Sequence, residues 1–138
     1  MEVKISKALE SIIARTAFDT ARSGMDHSLK DCLMLTLLRD EDSMAYRLLA
    51  SHLQDWQMYQ IALRLEHEIR RAPSEGLLPE EFFVDYAAGL RRRFSDVRRI
   101  STAHAAIDII GDGASSAARI FALYGITSSL LEDELEQF

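Results

Sequence analysis

One segment of this chain is written twice. From Cys32 the sequence reads CLMLTLLRDEDSMAYRLL, and from His104 it reads HAAIDIIGDGASSAARIF, with no gap inside the match. Asp40 falls on Asp112, Ser43 on Ser115, Ala45 on Ala117 and Arg47 on Arg119. Leu35, Leu37, Leu38, Leu48 and Leu49 fall on Ile107, Ile109, Ile110, Ile120 and Phe121. A match of this length predicts one supersecondary unit built twice and packed on itself.

The breaker residues divide the chain at the same place. Both prolines, Pro73 and Pro79, lie in the stretch APSEGLLP, residues 72–79. Repeat one therefore covers about 1–71, the linker 72–78 and repeat two about 79–138, all within a single domain of 138 residues.

Each half reads as four helices. Ile5, Leu9, Ile12, Ile13 and Ala17 keep helical spacing behind a Ser6 N-cap, and Gly24 stops that helix. Ser28 with Asp31 resembles a capping box for a second helix, to about Leu38. Asp42 or Ser43 caps a third, Met44 to about His52. A fourth runs from Asp55 to Arg71 with Trp56, Tyr59, Ile61, Leu63, Leu65 and Ile69 as its apolar residues.

In the second half Pro79 suits the first turn of a helix carrying Phe82, Phe83, Tyr86, Leu90 and Phe94. Ser101 or Thr102 opens the next, which ends at Gly111. Ser115 caps another, ending near Gly125, and Thr127 or Ser128 caps the last, Leu130 to Gln137. No β-branched run alternates between turn residues, so no strand is predicted. The expected fold is all-α, with eight helices in two pseudo-twofold four-helix repeats.

Composition excludes several functions. The net charge of −6 disfavours nucleic acid as a partner. No run approaches the ~18 apolar residues of a membrane span, and MEVKISKALESII has no signal-peptide core. One cysteine, Cys32, makes neither an internal disulfide nor a metal site. A cytoplasmic protein is the expectation.

Catalytic signals are weak. None of the six glycines precedes a lysine, so the phosphate-cradling G-x-x-x-x-G-K-[ST] loop is missing from these residues. His104 with Asp108, and His27 with Asp31, stand four apart and could hold a metal or act as acid and base. Helix capping and surface hydrogen bonds are the plainer reading. His67-Glu68-Ile69-Arg70-Arg71 starts like H-E-x-x-H but puts Arg71 at the second ligand. Cys32 reads as a small buried hydrophobe.

Two further groups are polar. Arg91, Arg92, Arg93, Arg98 and Arg99 form a basic cluster, read as a solvated helix end or as a dock for an acidic adaptor or phosphate. Arg47 and Arg119 recur at matched positions. They read as structural ion pairs with Asp40 or Asp112, or as ligand contacts.

The doubled segment resembles the N-terminal domain of the Clp family of AAA+ protein unfoldases. The second half supplies Thr102-Ala103-His104, Ile109-Ile110, Gly113, Ala117-Ala118-Arg119-Ile120-Phe121 and Gly125-Ile126. The first supplies Lys30-Asp31-Cys32, Leu37-Leu38-Arg39 and Ala45-Tyr46-Arg47-Leu48-Leu49, preceded by Ala21-Arg22-Ser23-Gly24. The resemblance covers nearly the whole chain.

It implies a non-catalytic module that recognises substrate or adaptor proteins for an ATP-driven unfoldase. No cofactor is expected in this domain. ATP and magnesium would belong to downstream ring modules, and a Clp protease is a further implied partner. By position, the family's apolar groove would involve Ile5, Ser6, Phe82, Phe83 and Tyr86. A phosphoarginine-type or adaptor site would involve Asp31, Arg47 and Arg119, although the second half has Ala103 where the first has Asp31. Two alternatives within the resemblance are a branch that grips a secretion-sheath subunit for sheath disassembly, and a stand-alone Clp accessory subunit.

Overall fold

The computed structural model describes residues 3–137. Among these are eight α-helices and two short strands. The helices are α1 (Lys7–Arg22), α2 (Leu29–Leu38), α3 (Met44–Ala50), α4 (Asp55–Arg71), α5 (Pro79–Arg93), α6 (Thr102–Ile110), α7 (Ser116–Ala122) and α8 (Ser128–Glu136). The fold is all-α, and among the described residues no helix is long and apolar enough to cross a membrane.

Local capping sets most helix starts. Ser6, Ser43, Ser115 and Thr127 each accept a hydrogen bond from the backbone N–H three residues on. Each satisfies a donor that the first helical turn leaves free. The turns before α3 and α7 share two kinds of side-chain hydrogen bond, and Ser115 adds one of its own to the Ile109 carbonyl. Ser43 and Ser115 donate their hydroxyls to the Asp40 and Asp112 carbonyls at 2.8 Å. The Asp40 and Asp112 carboxylates accept from the N–H two residues on.

Ser28 departs from the sequence expectation. It sits in the left-handed region at φ 50°, and its side chain makes no cap bond. No capping box forms with Asp31, whose carboxylate is committed elsewhere. The Ser28 backbone N–H instead donates to Glu75 of the linker at 3.3 Å. Asp26 accepts from the Ser74 hydroxyl at 2.6 Å and the Gly76 N–H at 3.2 Å, so the linker is tied down onto the loop after α1.

A second correction concerns strands. β1 (Lys4–Ile5) and β2 (Arg99–Ile100) pair in parallel, with Ile5 opposite Ile100. Two residues are too few to display alternation, so the pairing leaves no periodic trace in the sequence. It joins the start of α1 to the start of α6.

The core runs through both halves. α2 packs on α1, α4 and α6, while α6 packs on α3, α7 and α8. Leu33, Met34, Leu37, Ile107 and Ile109 are sealed from solvent. Ala45 and Ala117 are also fully buried. Their small side chains let α3 and α7 approach their neighbours closely.

In α4 the buried stripe is Met58, Ile61, Leu65 and Ile69. Trp56, Tyr59 and Leu63, expected with the apolar face, are 57, 67 and 50% exposed. The helix carries two apolar stripes, and only one is covered.

Candidate functional site

The two halves cap each other's helices. Asp31, in the first turn of α2, accepts from the backbone N–H of Ala117 at 3.0 Å and of Ser116 at 3.2 Å, at the start of α7. Thr102, the first residue of α6, accepts through its hydroxyl from the N–H of Ala45 at 3.0 Å, near the start of α3. All of these bonds cross between halves. Asp31 is 4% exposed, and burial raises its carboxyl above the ordinary value despite the N–H groups and nearby Arg119 that favour the anion.

Lys30, beside Asp31, reaches across to α6. Its ammonium lies 3.0 Å from Asp112, 3.6 Å from Asp108 and 5.5 Å from the centre of the Tyr86 ring. The hydrogen bond from Lys30 holds the Asp112 carboxyl below its ordinary value. Arg93 also binds Asp108 at 2.7 Å and Glu132 at 3.2 Å. One member of the predicted basic cluster is thus an inter-helix tie.

The groove residues are divided between core and surface. Ile5 is buried against Ile100, and Ser6 caps α1. Phe83 and Tyr86 are 2 and 8% exposed. Burial, with Asp108 nearby, pushes the Tyr86 phenol well above its ordinary value. Phe82 is half-buried and stacks on Tyr86 at 6.3 Å. It borders a 430 Å³ cavity with Lys30, Asp85 and Asp108. It also borders a 290 Å³ cavity with Asp31, Asp112 and Ser116. The structure therefore brings Phe82 and Tyr86 beside Lys30, with Phe82 also near Asp31. Ile5 and Ser6 line neither cavity.

Arg47 and Arg119 are both exposed. Their expected ion pairs with Asp40 and Asp112 do not form among the described residues. The turn aspartates are occupied locally: both cap their own turn, and Asp112 also binds Lys30. Arg119 instead donates to the Ser116 hydroxyl at 3.1 Å and lies in the field of Asp31.

His104 is a capping residue. Its Nδ1 accepts from the Ser101 N–H at 2.9 Å, and its ring meets Phe94 edge-on at 4.9 Å. Burial lowers its pKa, favouring the neutral ring that this acceptor role requires. The ring is therefore turned back to Ser101, while Asp108 pairs with Lys30 and Arg93.

Cys32 is buried, its thiol 3.3 Å from the Met25 sulfur and pushed up to about 12 by burial. It is a poor nucleophile there. Among the described residues no three His, Cys, Asp or Glu side chains converge as a metal centre needs.

Sequence reading missed the bonds that Lys30 and Thr102 make across the two halves, taking Thr102 only as a possible start of its own helix. Neither carries a local motif, because their partners lie in the other half. It could have found Thr102 by asking which hydroxyl sits one residue before the alanine matching Asp31. Compared with protein-family models, curated proteins and solved structures, the chain matches none.

Proposed function

We propose that this chain is a non-catalytic recognition domain of the Clp N-terminal type, built from two four-helix repeats about a pseudo-twofold axis. It delivers substrate or adaptor proteins to an ATP-driven unfoldase ring. The observation that carries this reading is the matched pair of turns at Asp40–Ser43 and Asp112–Ser115, whose hydrogen bonds repeat in kind. The resembling segments of the sequence are centred on those turns.

The half-buried Phe82, above Tyr86 and next to Lys30, supports a docking edge of modest affinity. Weak docking of this kind raises the local concentration of substrate at a tethered ring. The Asp31 region is the second part of the reading. Its carboxylate is already spent on α7, so an anionic ligand there would meet Lys30, in competition with Asp112, and the field of nearby Arg119.

The test is affinity capture from the source cell's lysate with wild-type protein and with Phe82→Ala, read by mass spectrometry. Phe82 is the suitable probe because truncating the buried Phe83 would open a core cavity and cost roughly 3–5 kcal/mol of stability. Recovery of a Clp-type ATPase, its adaptor or its substrate, lost in Phe82→Ala, supports the proposal. Recovery of none of these with the folded wild type overturns it.

A further inference from the structure

The uncovered stripe of α4 ends in a groove. Trp56, Tyr59 and Leu63 occupy one face of the helix, opposite the residues that already fill the core. Among the described residues this second apolar stripe stays largely uncovered. Where α4 runs beside α7, Leu63 joins Ile120 and the 70% exposed Leu123 around a cavity of about 540 Å³. Its polar lining is Arg64, His67, Glu68 and Arg119.

The charge of this groove runs against that of the molecule. The chain carries a net −6, and four of its sixteen lysines and arginines, Lys30, Arg39, Arg70 and Arg93, are paired with carboxylates among the described residues. Arg64 and Arg119 form no ion pair among the described residues, and Glu68 is the single carboxylate lining the groove. Among the described residues Arg119 holds only the Ser116 hydroxyl, which leaves it further guanidinium donors. Two unpaired guanidinium groups beside an apolar floor suit a ligand with carboxylates flanking apolar anchors, since arginine binds carboxylate through two parallel bonds.

We propose that the groove between α4 and α7 docks an acidic amphipathic segment of a partner protein. Its apolar side chains lie on Leu63, Ile120 and Leu123, and its carboxylates on Arg64 and Arg119. A helical segment would present those anchors at i, i+3 or i+4 and i+7. The site lies on elements other than the α5 edge at Phe82, and it does not rest on the Clp-type reading.

The probe is a short fluorescein-labelled peptide with leucines at helical spacing and glutamates between them. A control peptide has lysine for every glutamate. Fluorescence polarisation should show binding of the acidic peptide that weakens with added salt. Binding should drop roughly tenfold in Arg64→Glu, with a comparable loss in Leu123→Asp. Both positions are exposed, so neither change should disturb folding.

Equal binding of the lysine peptide overturns the proposal, as does binding unchanged in Arg64→Glu, or no binding to the folded protein. Concentration-dependent self-association abolished by Leu123→Asp also overturns it, by assigning the face to a second copy of the chain.

Discussion

Asp31 accepts a 3.0 Å hydrogen bond from the backbone N–H of Ala117, 86 residues further along the chain. An acid in the first turn of one helix thereby completes the start of another. Removing it leaves two N–H groups of α7 without their acceptor in a buried place, so Asp31→Ala should cost about 1–3 kcal/mol in denaturant melts. Asp31→Asn keeps one acceptor oxygen and should cost less.

The pH dependence of that site has a definite sign. Burial raises the folded-state pKa of Asp31 above the ordinary 3.8, so folding favours the protonated form. Its contribution is fully present below pH 3.8 and is lost as pH rises through the folded value. The stability of wild type relative to Asp31→Asn should therefore fall as pH is raised across that window. A difference that grows with pH would place the folded pKa below the unfolded one.

Thr102 performs the reciprocal task for α3 through the Ala45 N–H. Thr102→Val keeps the shape and removes the acceptor, so a loss of about 1–2 kcal/mol is expected, with Thr102→Ser recovering part of it. Wild-type stability in the valine variant would show that water or another side chain takes over the cap.

His104 should make the fold acid-sensitive at mild pH. Its pKa is lowered in the folded state, and its Nδ1 must stay unprotonated to accept from Ser101. The stabilisation is complete above the unfolded value of 6.5. It is lost progressively as pH falls from there toward the folded value. His104→Gln retains an acceptor without titrating in this range. Thermal melts between about pH 7 and pH 5 should flatten in that variant relative to wild type.

Cys32 should resist alkylation in the native protein at pH 8, because burial has carried its thiol up to about 12. In denaturant it should react at the rate of an ordinary cysteine. Fast labelling of the native state would mean that the α1–α2 loop opens readily.

Local chemistry was legible in the sequence and distant chemistry was not. Ser6, Ser43, Ser115 and Thr127 were readable as caps because a cap acts on the N–H three residues away. Asp31 was misread by the same rule. Its position in a first turn suggested service to its own helix, yet its partners lie on α7.

Helical spacing placed Phe83 and Tyr86 on the apolar side of α5 but could not say whether another helix or solvent covered them. In α4, Trp56, Tyr59, Ile61, Leu63, Leu65 and Ile69 all read as apolar, yet only Ile61, Leu65 and Ile69 of these took the core, joined by Met58. An amphipathic pattern with two apolar stripes does not reveal which one the rest of the chain will meet.

The reciprocal caps bear on what would happen if the backbone were cut. Asp31 serves α7, Thr102 serves α3, and Ile5 pairs with Ile100, so the junction is held from both sides without help from the peptide bonds of residues 72–78. A single proteolytic nick in that stretch would leave two fragments, each supplying what the other lacks. They should remain together as a non-covalent complex, and co-expressed as separate pieces they should reassemble, each serving as the template on which the other folds.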